Sequence, residues 1–232
     1  GHESMASGQG AALGRKKKEK AKAKAMANAK AHAAQPVASQ PAAMAELERA
    51  YQLHQQGDLS GAEQGYRQAL EQNPELVDAW RNLGAMLRQQ GRGADGLRCT
   101  EEALQRQPND HSLWGNLGNA LRDLDRLKES RRAFERAIQL APEQLGPRLG
   151  LAITLNKACD YWPLIQGLLP LLDGLPPEPN NTAADLLLEV GNAYHHLGQQ
   201  DQALAHWKRA LGLTAGDKQL LMALNMAQVL CE

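Results

Sequence analysis

The chain has 232 residues, with 26 Lys and Arg against 26 Asp and Glu, and only four Trp, four Tyr and one Phe. So few aromatics leave the core to Leu and Ala, which suits close-packed helices and argues against a β-sandwich. No run of about 18 apolar residues occurs, so no membrane span is expected. The balanced charge is unevenly placed. Residues 1–34 hold eight Lys/Arg and two Glu, a net +6, and residues 35–232 hold 18 against 24, a net −6. The three cysteines, Cys99, Cys159 and Cys231, are far apart and form no CxxC. They read as free thiols of a reducing, cytoplasmic setting. No apolar stretch follows the basic start, so a signal peptide is not expected.

In chain order, residues 1–4 read as a cloning remnant ahead of Met5, and residues 1–42 as a basic Lys/Ala-rich arm. The arm has almost no large apolar side chain to offset the entropy of ordering. Its segment Arg15–Ala34 has high helix propensity but no apolar face, and a loop is expected at Gln35–Pro41. Then the text repeats. Small residues recur at Ala50, Gly84, Gly118, Ala152 and Gly191, at steps of 34, 34, 34 and 39 residues. The two clearest copies read AWRNLGAMLRQQGR and LWGNLGNALRDLDR. A period near 34 with small residues at helix crossings predicts stacked helical hairpins.

The expected units are 43–76, 77–110, 111–144, 145–183 and 184–217, followed by a C-terminal helix at 218–232. The first hairpin carries Leu47, Ala50, Tyr51 and Leu53, turns at QQGDLS, and returns with Ala62, Tyr66, Ala69 and Leu70. Pro74, Pro108 and Pro142 close the first three units, because proline cannot continue a helix. The fourth unit departs. Leu164 and Leu171 replace small residues, and Pro170 sits where a helix should run. A kinked or shortened helix with looser stacking is expected there, then a proline-rich excursion, GLPPEPNN. The final helix, Lys218–Cys231, is apolar nearly all round, as suits burial against a further domain or a second copy.

Three short motifs have structural readings. Gly91–Gly96 matches GxGxxG but falls on a turn between helices, not between a strand and a helix. Asn180-Asn-Thr182 matches a glycosylation sequon, and Asn181 or Thr182 is expected to cap the next helix instead. His195 and His196 are adjacent, hence about 100° apart on a helix, and do not suit one metal ion. No Walker, GxSxG or HExxH pattern stands out. No catalytic residue, cofactor or metal is therefore expected.

The pattern Trp80/Trp114, Leu83-Gly84/Leu117-Gly118, Tyr194, Gly57/Gly91/Gly198, Ala62/Ala203, Tyr66/Phe134/Trp207 and Ala69/Ala103/Ala137/Ala210 resembles the tetratricopeptide repeat family. The resemblance covers about residues 43–217. It implies an all-α, right-handed superhelical solenoid whose first helices line a concave groove. It places Arg81, Asn82, Arg88, Asn116, Asn119, Arg122, Asn156, Lys157, Asn192 and His195 in that groove, with Glu189 and His196 beside them. Asn side chains there can hold the backbone of an extended peptide, and Arg can pair with its carboxylates. The chaperone-binding clamp of the family is not matched, because Ala85, Gly146 and Gly150 stand at clamp positions.

These residues predict a non-catalytic scaffold that binds an extended, acidic peptide or protein. A second reading makes the chain the targeting region of a larger transferase of the O-GlcNAc transferase or sulfotransferase kind, on the partial match of Asn82 and Asn116. A third makes it an adaptor for nucleic acid or an anionic membrane surface through Arg15, Lys16, Lys17, Lys18, Lys20, Lys22 and Lys24.

Overall fold

Leucines, alanines and glycines at helical spacing build the molecule as pairs of antiparallel helices. The structure, a computed structural model, describes residues 39–174 and 180–214. Its described residues form ten α-helices: α1 (Ser39–Gln55), α2 (Leu59–Gln72), α3 (Val77–Gln89), α4 (Gly93–Arg106), α5 (His111–Asp123), α6 (Leu127–Leu140), α7 (Leu145–Lys157), α8 (Tyr161–Asp173), α9 (Asn181–His196) and α10 (Gln200–Gly212). Consecutive helices pair into five hairpins, α1/α2 to α9/α10. The protein is an all-α solenoid. The basic arm, including Arg15 to Lys24, and the helix expected at Lys218–Cys231 lie outside the described residues.

α1 starts at Ser39, so the expected loop through Pro41 ends earlier. Pro41 falls in the first turn, where the missing N–H has no intrahelical partner to lose. One turn joins the helices of every hairpin. Its left-handed residue is Gly57 (φ 84°), Gly91 (78°), Asp125 (59°), Cys159 (59°) or Gly198 (74°). The next residue donates its N–H to a carbonyl five back, as in Asp58 to Leu53, Arg92 to Leu87 and Arg126 to Leu121, at 2.9–3.0 Å. That bond satisfies a carbonyl the helix end would leave orphaned. Gly91 of the GxGxxG text supplies this turn, and Gly96 lies against α3, where an added Cβ would sit 2.7 Å from the Gly84 carbonyl oxygen.

Prolines at unit ends do more than stop helices. Trp80 Nε1 donates to the Pro74 carbonyl and Trp114 Nε1 to the Pro108 carbonyl, each at 2.8 Å. In the fourth unit Arg148 takes the same place and donates to the Pro142 carbonyl at 2.8 Å. The core is therefore a row of neighbouring clusters, each shared by adjacent hairpins, as expected of an array that grows along one axis.

The fourth hairpin differs in packing rather than in length. α8 spans 13 residues and runs through Pro170, so it is not shortened. Leu164 is buried where the other hairpins hold Ala62, Gly96, Ser130 and Ala203. Its bulk keeps α8 off α7, and α8 leans on α9 instead. Leu172, not Leu171, is the residue fully buried near its end. Arg209 of α10 bonds the Leu172 carbonyl and stands 3.8 Å from Asp173, which ties that end to the fifth hairpin. Asn180 caps α9 by accepting the Ala183 N–H at 3.0 Å, so the cap lies one residue before the expected Asn181 or Thr182. The Asn180 N–H in turn donates to the Leu213 carbonyl at 3.1 Å.

Candidate functional site

Helices α3, α5, α7 and α9 open their hairpins and present successive polar residues along one face. Three of the expected groove cations are already paired. Arg81 bridges Asp78 and Asp110, each at 2.6 Å. Burial works to raise the Asp110 carboxyl, but bonds from Ser112 and Leu113 and the nearby Arg81 charge hold it below the ordinary carboxylate value. Arg88 meets Asp123 at 2.8 Å. Lys157 meets Asp125 at 3.0 Å and donates to the Arg122 carbonyl at 3.2 Å. These contacts join one hairpin to the next, so they fix the spacing of the face.

Arg122 is different. Its Nη1 donates to the Gly150 carbonyl at 3.2 Å and its Nη2 to Asn119 Oδ1 at 2.8 Å. Its guanidinium lies 5.7 Å from the Phe134 ring centroid, a cation–π arrangement. Among the described residues no carboxylate approaches within ion-pair distance, and burial pulls its pKa below the ordinary arginine value. Asn82 and Asn116 are partly exposed, and their side-chain amides bond nothing within the described protein.

Around Arg122, α5 and α7 flank an open cleft of about 410 Å³. Asn116, Asn119 and Arg122 line it from α5, and Leu149 and Ile153 from α7, with Phe134 of α6 as the floor. Gly115 and Gly146 widen it. A Cβ added at either would meet nothing within 4 Å, so packing does not demand glycine there. Gly150 is the opposite case, because its Cβ would sit 2.2 Å from Phe134 Cε1.

Further along, Asn156 Nδ2 donates to the Glu189 carbonyl at 2.9 Å and to Glu189 Oε2 at 2.5 Å. Burial raises the Glu189 pKa, and the Asn156 bond only partly offsets that. Asn192 and His195 serve the fifth hairpin itself. Asn192 Oδ1 accepts the Trp207 indole N–H at 3.2 Å, and His195 pairs with Gln200 at 3.0 Å while leaning on the same indole. His196 stacks on Tyr161, and His206 on Tyr194. Cys99 is buried, which pushes its thiol up to about 11, and Cys159 is exposed at its turn.

Two family models match the sequence, "TPR repeat" over residues 42–91 and "Tetratricopeptide repeat" over residues 87–144. Residues 42–144 of the chain carry tetratricopeptide repeats. No curated protein matches it in sequence. Among solved structures it is similar to PilW, a widely conserved type IV pilus biogenesis factor, at 18% identity and TM-score 0.67, over 82% of this chain and 86% of that one. It is also similar to the MamA protein, at 20% identity and TM-score 0.63 over 73% and 90% of the two chains. YrrB, a TPR protein with an unusual peptide-binding site, gives 19% identity and TM-score 0.59 over 78% and 90%. At such identities these likenesses show the fold.

Within the tetratricopeptide array, the structure brings Asn116, Asn119 and Arg122 to one cleft. It spreads Arg81, Asn82 and Arg88 before it and Asn156 and Lys157 after it. Sequence reasoning missed Gly115, Pro147 and Ile153 as lining residues. The signal was present as Gly146, which marks where the groove loses a side chain. Among the described residues no helix is long and apolar enough to cross a membrane.

Proposed function

We propose that this chain is a non-catalytic scaffold whose concave face binds an extended peptide segment of a protein partner. Tetratricopeptide arrays typically serve as interaction scaffolds for protein or peptide partners. The observation that carries the finer reading is unspent polar capacity around one cleft. Asn82 and Asn116 sit at the same place in successive hairpins with unbonded amides, and Arg122 holds a half-buried charge without a carboxylate. Amides repeated from one hairpin to the next suit an extended peptide backbone better than a small ligand. Acidic character in the partner follows from Arg122.

The test uses a displayed library of random peptides selected against the chain. The double substitution Asn116→Ala with Arg122→Ala is expected to weaken the selected binders by roughly 10-fold or more, in line with losing polar anchors at about 1–3 kcal/mol. Binders indifferent to that substitution would place recognition elsewhere.

A further inference from the structure

Polar anchors alone do not account for the shape of the cleft between α5 and α7. Its floor is the Phe134 ring, and its far wall is Leu149 and Ile153, both only partly buried. Gly115 and Gly146 leave space that no core contact requires, since a Cβ at either would touch nothing within 4 Å. At about 410 Å³ the volume lies within the roughly 300–1,000 Å³ typical of ligand pockets. Apart from Gln144 at the head of α7, the polar lining groups stand on α5, where Arg122 keeps N–H donors beyond those given to Gly150 and Asn119. An apolar pocket beside a guanidinium with no carboxylate in contact among the described residues selects for two features at once. Apolar burial supplies affinity there, and the charge supplies orientation.

We infer that the cleft seats one bulky apolar side chain of the bound peptide, and that Arg122 pairs with a carboxylate lying within about three residues of it on the same peptide. This rests on the groove reading and adds a recognition pattern to it. Asp123 and Glu189 bear on Arg122 only at longer range and leave that pairing open. The amides of Asn82 and Asn116 hold the backbone on the near side and so set the register of the anchor. Arg81, Arg88 and Lys157 take no direct part, because each is engaged by an internal carboxylate.

The same random-peptide library tests the pattern. Enriched sequences are expected to share a Leu, Ile, Met, Phe or Trp with an Asp or Glu within three residues. Replacing that apolar residue by Ala in a selected peptide should weaken binding at least 10-fold. Gly115→Leu and Gly146→Leu, which fill the pocket without a clash at Cβ, should do the same while leaving the melting temperature unchanged or higher. Arg122→Gln should erase the preference for the acidic residue. Binders that depend on Asn116 and Arg122 yet show no apolar anchor and tolerate both Leu substitutions would overturn this inference and leave the groove reading standing. Binders that ignore all of these substitutions would overturn both. A library that yields no binder also counts against the inference.

Discussion

Replacing Gly150 with Ala tests how tightly the floor of the cleft is built. In a helix interior Gly→Ala ordinarily stabilises by about 1 kcal/mol. At Gly150 the new methyl would stand 2.2 Å from Phe134 Cε1 and 2.4 Å from Cζ, against an ordinary carbon–carbon contact of about 3.5–4.0 Å. The ring must therefore move by more than about 1 Å. It has nowhere easy to go, because it is 1% exposed and its other edge is blocked by Gly118, where a Cβ would lie 2.7 Å from Cε2. Overpacking of this kind costs about 1–3 kcal/mol. The net expectation is a loss of about 0–2 kcal/mol for Gly150→Ala and a gain of up to about 1 kcal/mol for Gly115→Ala, whose methyl is unobstructed. Urea unfolding followed by circular dichroism reads both from their midpoints at unchanged slope. Adding Phe134→Leu to Gly150→Ala should recover part of the loss, a non-additivity that marks direct contact. If Gly150→Ala stabilises as much as Gly115→Ala, the ring relaxes freely and the packing argument is wrong.

Two further perturbations separate turn strain from groove electrostatics. Asp125 and Cys159 hold the left-handed turn position that glycine fills in the other hairpins, so Asp125→Gly and Cys159→Gly should each raise stability by about 0.5–1 kcal/mol in the same unfolding assay. The gain at Asp125 is the smaller of the two because the exposed Lys157 pair is lost, and destabilisation at both sites would refute the strain account. Glu189→Gln should stabilise above the carboxylate range and lose its advantage in acid. Burial raises the folded pKa, so Glu189 contributes stability while protonated, and that contribution is lost as pH rises through the folded value. Gln keeps the Asn156 bond without the charge. Thermal midpoints at about pH 4 and 8 check this, and an equal gain at both would exclude titration as the cause.

Much of the fold was legible because the repeat writes it several times. Small residues at Ala50, Gly84, Gly118, Ala152 and Gly191 fix where helices cross, and Pro74, Pro108 and Pro142 fix where units end. Single-copy features were less legible. Pro41 was read as loop, although a first-turn proline leaves the helix intact, and the α9 cap fell on Asn180 because competing polar residues stand side by side there. Pro170 predicts a kinked or shortened α8, yet the helix keeps its 13 residues around it, and the buried Leu164 adds bulk at the crossing that the other units avoid. In the groove, register gave the right face but not the occupancy of each side chain. Whether an arginine is free depends on carboxylates 29 or 35 residues away, such as Asp110 for Arg81 and Asp123 for Arg88. Asn192 shares the LGNA/VGNA text with Asn119, yet Trp207 captures its oxygen.

The cleft and the departure of the fourth hairpin have related origins. A hairpin that keeps small residues at its crossings closes on itself and leaves its outer faces to its neighbours. The fourth unit places its glycines elsewhere. Gly146 leaves the cleft open, Gly150 makes room for the Phe134 ring of α6, and Leu164 occupies the crossing. The first change removes side chains from the groove at one point only, which concentrates binding space instead of spreading it along the solenoid. The second swings α8 toward α9, where Arg209 clamps its end. Ser130 then bonds both the Gly118 carbonyl, at 2.8 Å, and Thr154, at 3.1 Å, so α5, α6 and α7 are tied behind the cleft by buried hydrogen bonds. A pocket floored by a fully buried ring and backed by satisfied polar groups has little of its own structure left to order, which lowers the entropy lost on the protein side when a peptide binds.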